Sequence, residues 1–520
     1  MDSGWDDRAD VVVIGFGGAG ACAAIEAAEG GADVLVLDRF TGGGATAVSG
    51  GVVYAGGGTA IQRAAGVVDA PEEMLAYLSQ EVGDAVSSAT LRRFCDESAG
   101  MIDWLSGRGV PFDPSNCPYK TSYPNNRFYL YYSGSENALP FRESAVPAPR
   151  GHRAHGPGTS GRVFFAALAE AVRQAGARVR TGTRVERLVV DGSGRVTGVE
   201  CVVLSGFPAR LHALLYRYAT KPGLYVPALA RRLSKRIRAI ERKHGRPYRV
   251  AARFGVVLAA GGFVTNREMM REHAPAFRGG LPLGTLGDDG AGIRLGVEAG
   301  GATERMNSVS AWRFLSPPSA LLRGVLVNQA GRRFIDESRY GAAIGHAMIT
   351  EQGGRAWLLI DEPILREARR QLSTETLWFQ RMQARYLLRF SRVRGTLDEV
   401  ARRAGIDPAA LRSTVDEHGG LGAGPYSLID CSSRPRLGYP CPMLTLGGLR
   451  VEESTGAVLS AAGASISGLF AAGRNAIGVC SNSYVSGLSL ADCVFSGRRA
   501  GRSAVRVELA RRLRVAERDR

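Results

Sequence analysis

The 520-residue sequence lacks the features that mark membrane-spanning, secreted and metal-binding proteins. It has no apolar run long enough to cross a bilayer. Its first ten residues, MDSGWDDRAD, are acidic and lack the hydrophobic region of a secretory signal. The eight cysteines are scattered without a C-x-x-C pair, which argues against a disulfide framework or a zinc site. We therefore expect a cytoplasmic protein without a metal centre.

Acidic residues are also scarce, since 49 Asp and Glu stand against 66 Lys and Arg, giving a net charge of +17. Such an excess can attract nucleic acid, an anionic membrane or an anionic ligand. The sequence has no nucleic-acid-binding motif and no basic stripe interleaved with aromatic residues. We therefore expect no nucleic-acid partner.

The basic charge is concentrated in segment 204–250, where residues 221–250 contain ten Lys and Arg but one Glu. Apolar spacing predicts two amphipathic helices here, at 209–218 and 228–243. We interpret the segment as a solvated basic insertion that is dispensable for chemistry. Peripheral contact with a membrane is the alternative interpretation.

The stretch 10–38 predicts a dinucleotide-binding βαβ unit. A β-branched strand leads into Gly15, Gly17 and Gly20, which have the G-x-G-x-x-G spacing. These glycines permit a tight turn, close approach of a pyrophosphate and close packing of helix on strand. Asp38 ends the second strand, where its carboxylate can bind a ribose diol. The small residues from Thr46 to Gly51 then predict a second loop against the cofactor.

Further motifs give the chain a resemblance to a known family. They are VLAAGGF at 257–263, the Gly-rich turn 287–292, GRRF at 331–334, LFAAG at 469–473 and a closing helix from about 488. With the βαβ unit, they resemble the flavoprotein family that joins fumarate reductases to 3-ketosteroid dehydrogenases. The resemblance implies an α/β fold: a Rossmann-like FAD-binding domain of the glutathione-reductase type with an inserted α+β catalytic domain. Flavin motifs at both ends of the chain place the FAD domain at 1–280 and 439–520, and the insertion at 281–438.

The resemblance implies noncovalent FAD. The expected cofactor-binding residues come from the glycine turn, the second loop, a strand near 185 and the later motifs. They are Gly15, Gly17, Gly18, Ala19, Gly20, Asp38, Arg39, Thr46, Ala47, Ser49, Gly50, Gly51, Val185, Ala260, Gly261, Gly262, Asp289, Gly473, Arg474, Ser489 and Leu490.

Within the family, hydroxyl-bearing residues favour the Δ4-(5α) dehydrogenase branch, which oxidises a saturated 3-ketosteroid to the 4-ene. Tyr340 follows Glu-Ser-Arg, and Tyr484 and Ser486 lie in the loop before the closing helix. The resemblance suggests Ser486 and Tyr340 for proton removal, and Tyr484 near the keto oxygen or in a relay. The alternatives are a Δ1-dehydrogenase and a fumarate-reductase-like enone reductase. The expected partners are a steroid substrate and an electron acceptor of unspecified identity.

Overall fold

A computed structural model of the chain describes residues 4–221, 226–277, 280–433 and 439–518. The strands are β1 (Asp7–Ile14), β2 (Val34–Leu37), β3 (Val52–Tyr54), β4 (Leu130–Tyr131), β5 (Gly151–Arg153), β6 (Arg178–Arg180), β7 (Thr183–Val190), β8 (Val196–Val203), β9 (Arg246–Leu258), β10 (Leu281–Pro282), β11 (Thr303–Glu304), β12 (Val309–Ala311), β13 (Val325–Val327), β14 (Trp357–Ile360), β15 (Arg392–Gly395), β16 (Tyr426–Asp430), β17 (Pro442–Thr445), β18 (Gly448–Leu449), β19 (Ala457–Leu459) and β20 (Ser465–Ala471).

The helices are α1 (Gly18–Glu29), α2 (Gly44–Val48), α3 (Ala60–Ala64), α4 (Pro71–Val82), α5 (Ser88–Asp96), α6 (Ser98–Gly107), α7 (Phe141–Ser144), α8 (Gly161–Gln174), α9 (Gly206–Thr220), α10 (Pro227–His244), α11 (Arg267–His273), α12 (Ala291–Glu298), α13 (Gly341–Thr350), α14 (Glu362–Thr374), α15 (Trp378–Phe390), α16 (Leu397–Ala404), α17 (Pro408–His418) and α18 (Leu488–Arg518). No helix in the described part of the chain combines the length and apolar character needed to cross a bilayer.

The predicted βαβ unit forms the centre of an eight-stranded sheet. β1 pairs in parallel with β2 on one side and with β9 on the other. β6 extends the sheet beyond β2, and β20 extends it beyond β9, again in parallel. α1 and α18 pack against each other and share one hydrophobic core with β1. The carboxyl ends of β1, β2 and β9 therefore meet at one edge, where such folds bind ligands.

The basic segment 204–250 forms the predicted helical pair, α9 and α10. The two helices connect β8 to β9 in the sequence, and these two strands pair with each other in the antiparallel direction. Tyr216 and Ala219 of α9 and Leu233 and Ile237 of α10 pack around Phe40, which follows β2. The helical pair therefore packs beside the carboxyl end of β2, at the edge of the sheet where the strands of the βαβ unit end.

The region between β10 and β17 contains a four-stranded antiparallel sheet, ordered β13-β14-β16-β15, and helices α13–α17. β10 pairs in parallel with β17, which brings the two ends of this region side by side. The predicted division at 281–438 stays a prediction, and residue 438 lies outside the described residues. Ile293 and Leu295 of α12 pack with Val256 and Leu258 of β9, which favours a first boundary after α12.

Candidate active site

Most of the predicted cofactor residues line one cleft at the edge of the large sheet. The cleft is a cavity of about 120 Å³ between the β1–α1 turn, the end of β2 and the segment after β20. The predicted residues that line it are Gly15, Gly17, Gly18, Ala19, Asp38, Arg39, Thr46, Val185, Ala260, Gly261, Asp289, Gly473 and Arg474. The sequence motifs therefore converge in space although they are hundreds of residues apart.

Two glycines of the glycine turn, Gly15 and Gly20, are packed too closely to leave room for a side chain. Gly15 has a φ of +101°, and a Cβ atom there would lie 2.5 Å from the carbonyl oxygen of Ala259. A Cβ atom at Gly20 would lie 1.9 Å from the carbonyl oxygen of Gly15. At Gly17, in contrast, the nearest atom to such a Cβ is 3.7 Å away. The backbone is thus bare at the start of α1, where a pyrophosphate binds in dinucleotide folds.

The Asp38 carboxylate shapes the neighbouring loop. It accepts hydrogen bonds from the backbone N–H groups of Phe16 (2.9 Å), Phe40 (2.8 Å) and Gly42 (3.2 Å). A carboxylate has about four lone-pair positions, so these three bonds leave room for one more donor. Binding of a ribose hydroxyl by Asp38 stays a prediction.

The other predicted cofactor residues lie outside the lining of this cleft. Gly20 and Gly262 are packing positions, because a Cβ atom at Gly262 would lie 2.3 Å from Thr445 Oγ1. Gly50 accepts a hydrogen bond from the Tyr123 hydroxyl (2.8 Å), which fixes the second loop. The full set outside the lining is Gly20, Ala47, Ser49, Gly50, Gly51, Gly262, Ser489 and Leu490. Direct contact of these residues with the cofactor stays a prediction.

Arg474 brings a buried positive charge to the cleft. Burial alone would lower its pKa, but the Asp288 carboxylate beside it outweighs burial and raises the pKa. Its Nη1 atom is buried and has no hydrogen-bond partner among the described residues. An orphaned cationic donor in a glycine-walled cleft fits an anionic, flat ligand. The residues present therefore fit a flavin dinucleotide.

The basic insertion reaches the same cleft through Glu241 of α10. Glu241 binds Arg39 with both carboxylate oxygens, at 2.8 Å and 3.0 Å, and accepts a hydrogen bond from His212 (3.0 Å) if His212 Nε2 carries the proton. Arg39 also donates to Asp289 (2.8 Å). Tyr216 stacks on Phe40 with ring centroids 4.1 Å apart and lines the cleft. These contacts argue against the expectation that the segment is dispensable.

The three predicted catalytic residues come together in the structure, and Tyr131 of β4 lies with them. The Ser486 hydroxyl lies 3.2 Å from the hydroxyl of Tyr131 on β4. The rings of Tyr340 and Tyr484 have centroids 6.3 Å apart. Gly487, with a φ of +90°, ends this loop and accepts a hydrogen bond from the N–H of Tyr54 (3.1 Å), so the loop is held against β3.

Burial controls the acidity of these phenols. It raises the pKa of Tyr340 well above its usual value, the neighbouring Tyr484 raises it further, and the nearby Ser486 hydroxyl opposes the rise. Burial likewise raises the pKa of Tyr131, and a hydrogen bond with Ser486 again opposes it. The pKa of Tyr484 is also raised, first by burial. The phenols therefore stay protonated at neutral pH, and the Tyr131 hydroxyl contacts the Ser486 hydroxyl.

Aromatic rings extend this cluster into an apolar wall. Trp312 lies 5.0 Å from Tyr484 and 5.4 Å from Phe314, measured between ring centroids, and Phe314 lies 5.6 Å from Tyr340. Trp312, Phe314 and Tyr484 are only half-buried. Trp312 and Phe314 follow β12 and were not singled out from the sequence. The wall suits a flat apolar molecule, with the hydroxyl cluster at its edge.

The family model for the FAD binding domain matches residues 10–489. The chain belongs to the FAD-binding-domain family. As a member of this family, it binds FAD and is an oxidoreductase. The fold is that of the glutathione-reductase-type flavoenzymes, which confirms the prediction from the sequence.

Relatives of this FAD-binding protein include steroid dehydrogenases. A 3-oxo-5-alpha-steroid 4-dehydrogenase of Comamonas testosteroni is 41% identical over 501 residues, covering 90% of this chain and 93% of the relative. A 3-oxosteroid 1-dehydrogenase of Mycobacterium tuberculosis is 25% identical, covering 91% and 94%. The crystal structure of the 3-ketosteroid-Δ4-(5α)-dehydrogenase of Rhodococcus jostii, in complex with 4-androstene-3,17-dione, is 34% identical, with a TM-score of 0.81, and covers 97% of this chain and 98% of that one.

Proposed function

We propose that the protein oxidises a saturated 5α-3-ketosteroid to the 4-ene-3-ketosteroid, with FAD as hydride acceptor. The observation that carries the proposal is the buried Ser486–Tyr131–Tyr340 hydroxyl cluster at the edge of an aromatic wall. Relatives that act on this class of steroid align over nearly the whole chain. The identity to the 1-dehydrogenase is lower, at 25%, which favours the 4-ene over the 1-ene product.

The reaction removes two hydrogens from adjacent carbons in different forms. The carbonyl acidifies the hydrogen at C4, which leaves as a proton, and FAD, when bound, accepts the hydrogen from C5 as a hydride. A donor must stabilise the charge that develops on the keto oxygen. Tyr484 suits this role because its raised pKa keeps the phenol protonated at neutral pH.

In the proposed mechanism Ser486 takes the C4 proton onto its oxygen and releases its own hydroxyl proton to the phenol oxygen of Tyr131 or Tyr340, and that phenol releases its own proton in turn to solvent. A serine hydroxyl alone is a weak base, so it needs a neighbour that accepts its proton as it reacts. The Tyr131 hydroxyl is 3.2 Å from the Ser486 hydroxyl, and the Ser486 side chain lies close enough to the Tyr340 phenol to lower its pKa. The half-buried Trp312 and Phe314 exclude water along the flat face of the substrate.

The reductive half-reaction tests this assignment. FAD-loaded protein is mixed anaerobically with a 5α-3-ketosteroid, and loss of flavin absorbance is followed by stopped flow. Ser486→Ala should slow flavin reduction about a hundredfold or more, because an acid–base group typically contributes that much. Tyr426→Phe, which removes a remote phenol from β16, is the control and should leave the rate unchanged. Rates within threefold of wild type in Ser486→Ala would contradict the assignment.

Location and partners beyond the steroid are further parts of the proposal. A cytoplasmic location is supported by the eight cysteines, all within the described residues, which form no disulfide bonds. The basic segment 204–250 is a candidate for peripheral membrane contact, because Phe207, Leu214 and Tyr218 of α9 are exposed. An electron acceptor must reoxidise the flavin after each turnover.

A further inference from the structure

Helix α15 carries an exposed row of large apolar side chains. Trp378, Met382, Tyr386 and Phe390 are 77%, 59%, 38% and 72% exposed, respectively. They repeat at every fourth position, so they lie along one side of the helix. The opposite side packs inward, because Ala384, Leu387 and Leu388 are buried in the core of the inserted region. The apolar row therefore faces solvent and is not part of the hydrophobic core.

Three arginines run beside this row. Arg381, Arg385 and Arg389 repeat at the same spacing, one position before Met382, Tyr386 and Phe390, and the sequence of α15 contains no Asp or Glu. The Arg381 guanidinium donates to the carbonyls of Leu372 and Ser373 of α14, so Arg385 and Arg389 are the exposed cations beside the row. The Arg389 guanidinium lies over the Phe390 ring, 5.7 Å from its centroid. A row of Trp, Tyr and Phe flanked by cations is the composition of helices that lie in the headgroup region of a bilayer.

The positive charges beside the apolar row of α15 indicate what kind of partner binds this surface. A second copy of the chain would bring two rows of arginines together, and each copy carries a net charge of +17. An anionic phospholipid surface instead supplies the opposite charge to the arginines and an apolar layer for the rings. We propose that the outer face of α15 docks the protein on an anionic phospholipid bilayer.

The position of α15 indicates a role for membrane docking in substrate access, and this role rests on the proposed function. The Gln380 side chain donates to the carbonyl of Tyr123 (3.1 Å), and the Tyr123 hydroxyl donates to the carbonyl of Gly50 (2.8 Å) in the predicted flavin loop. Helix α15 is therefore linked through Tyr123 to the loop 46–51, which is predicted to contact the cofactor. A 3-ketosteroid is apolar and partitions into bilayers, so docking holds the site beside the phase that contains its substrate.

Vesicle sedimentation with the FAD-loaded full chain and no steroid tests the docking alone. Vesicles of phosphatidylcholine with about 30% phosphatidylglycerol should pellet the protein, and pure phosphatidylcholine vesicles or high salt should pellet much less. Trp378→Ser with Phe390→Ser should reduce binding at least about tenfold. The matched control, Val68→Ser with Val146→Ser, removes exposed apolar side chains from sites elsewhere and should leave binding unchanged. Phe207→Ser with Leu214→Ser on α9 tests the basic segment 204–250 as the rival membrane contact, and docking through α15 predicts that this variant binds as wild type does. Flavin absorbance confirms that each variant is folded.

The contribution of charge is tested with a second matched pair. Arg385→Gln with Arg389→Gln should weaken binding to anionic vesicles, whereas Arg92→Gln with Arg187→Gln, which removes the same charge from exposed sites elsewhere, should weaken it less. Bromine-labelled lipids should quench a tryptophan signal that Trp378→Phe removes.

Three outcomes would overturn the proposal. They are binding that is lost in the α9 variant and kept in the α15 variant, no binding by wild-type protein, and a dimer that the α15 variant converts to monomer. Because turnover of detergent-dispersed steroid is measured separately, failure of docking is distinguishable from failure of the proposed activity.

Discussion

The replacement Glu241→Gln should weaken the binding of FAD. Glu241 lies on α10, a helix that carries no cofactor motif. Glu241 is 4% exposed and holds the Arg39 guanidinium by two hydrogen bonds. Breaking one partner from a buried ion pair costs about 3–5 kcal/mol. Arg39 keeps its bond to Asp289, so we expect the lower end of that range in folding stability. Free movement of Arg39 at the cleft should weaken FAD binding about tenfold, which corresponds to about 1.4 kcal/mol.

The assay is titration of apoprotein with FAD by flavin fluorescence, together with thermal unfolding of the holoprotein. Glu170→Gln is the matched control, because Glu170 forms an ion pair with Arg173 away from the cleft and is 48% exposed. That variant should keep the wild-type FAD affinity and melting temperature. An FAD affinity within twofold of wild type in Glu241→Gln, with an unchanged melting temperature, would refute the role of the insertion at the cleft.

Three further predictions follow from single sites. Tyr131→Phe should slow flavin reduction by a 5α-3-ketosteroid about a hundredfold while FAD stays bound, and stopped-flow traces that match wild type would exclude Tyr131 from the relay. Burial lowers the pKa of His152 from 6.5 to about 4, so the folded protein binds fewer protons than the unfolded chain. Its contribution to the free energy of unfolding, about 3 kcal/mol, is present above about pH 6.5 and is lost as the pH falls toward 4. Chemical denaturation should therefore show a free energy of unfolding that falls more steeply with pH over this range in wild type than in His152→Gln, and the same pH dependence in both proteins would contradict the prediction. Gly20→Ala should abolish FAD binding because its Cβ would lie 1.9 Å from the Gly15 carbonyl, whereas Gly100→Ala, with open space around it, should bind FAD normally; a yellow Gly20→Ala protein would contradict this.

Local signals in the sequence predicted the parts of the fold and site that depend on backbone shape. The glycines at 15, 17 and 20 must follow a strand and begin a helix, so their spacing alone locates the cleft. The resemblance to the Δ4-(5α) dehydrogenase branch predicted Tyr484 and Ser486, and their position just before the closing helix supported that prediction. In each case the geometry is set within a short stretch of chain, which a sequence displays directly.

The parts that escaped prediction depend on contacts between distant segments. Tyr131 belongs to a two-residue strand in a loop-rich stretch, and only its partner Ser486, far along the chain, reveals its role. Glu241 was counted as the single acid in a basic run, and its pairing with Arg39 leaves no periodic trace in the sequence. Trp312 likewise gains significance only beside Tyr484. Such pairings require the three-dimensional fold.

Identification of the steroid product tests the central claim most directly. Oxidised, FAD-loaded protein is incubated anaerobically with one equivalent of a 5α-3-ketosteroid, and the product is analysed by mass spectrometry and ultraviolet absorbance. We expect a product that has lost two hydrogens and carries a double bond at C4–C5, in an amount equal to the flavin reduced. A 1-ene product, or a flavin that stays oxidised while the steroid is recovered unchanged, would contradict it.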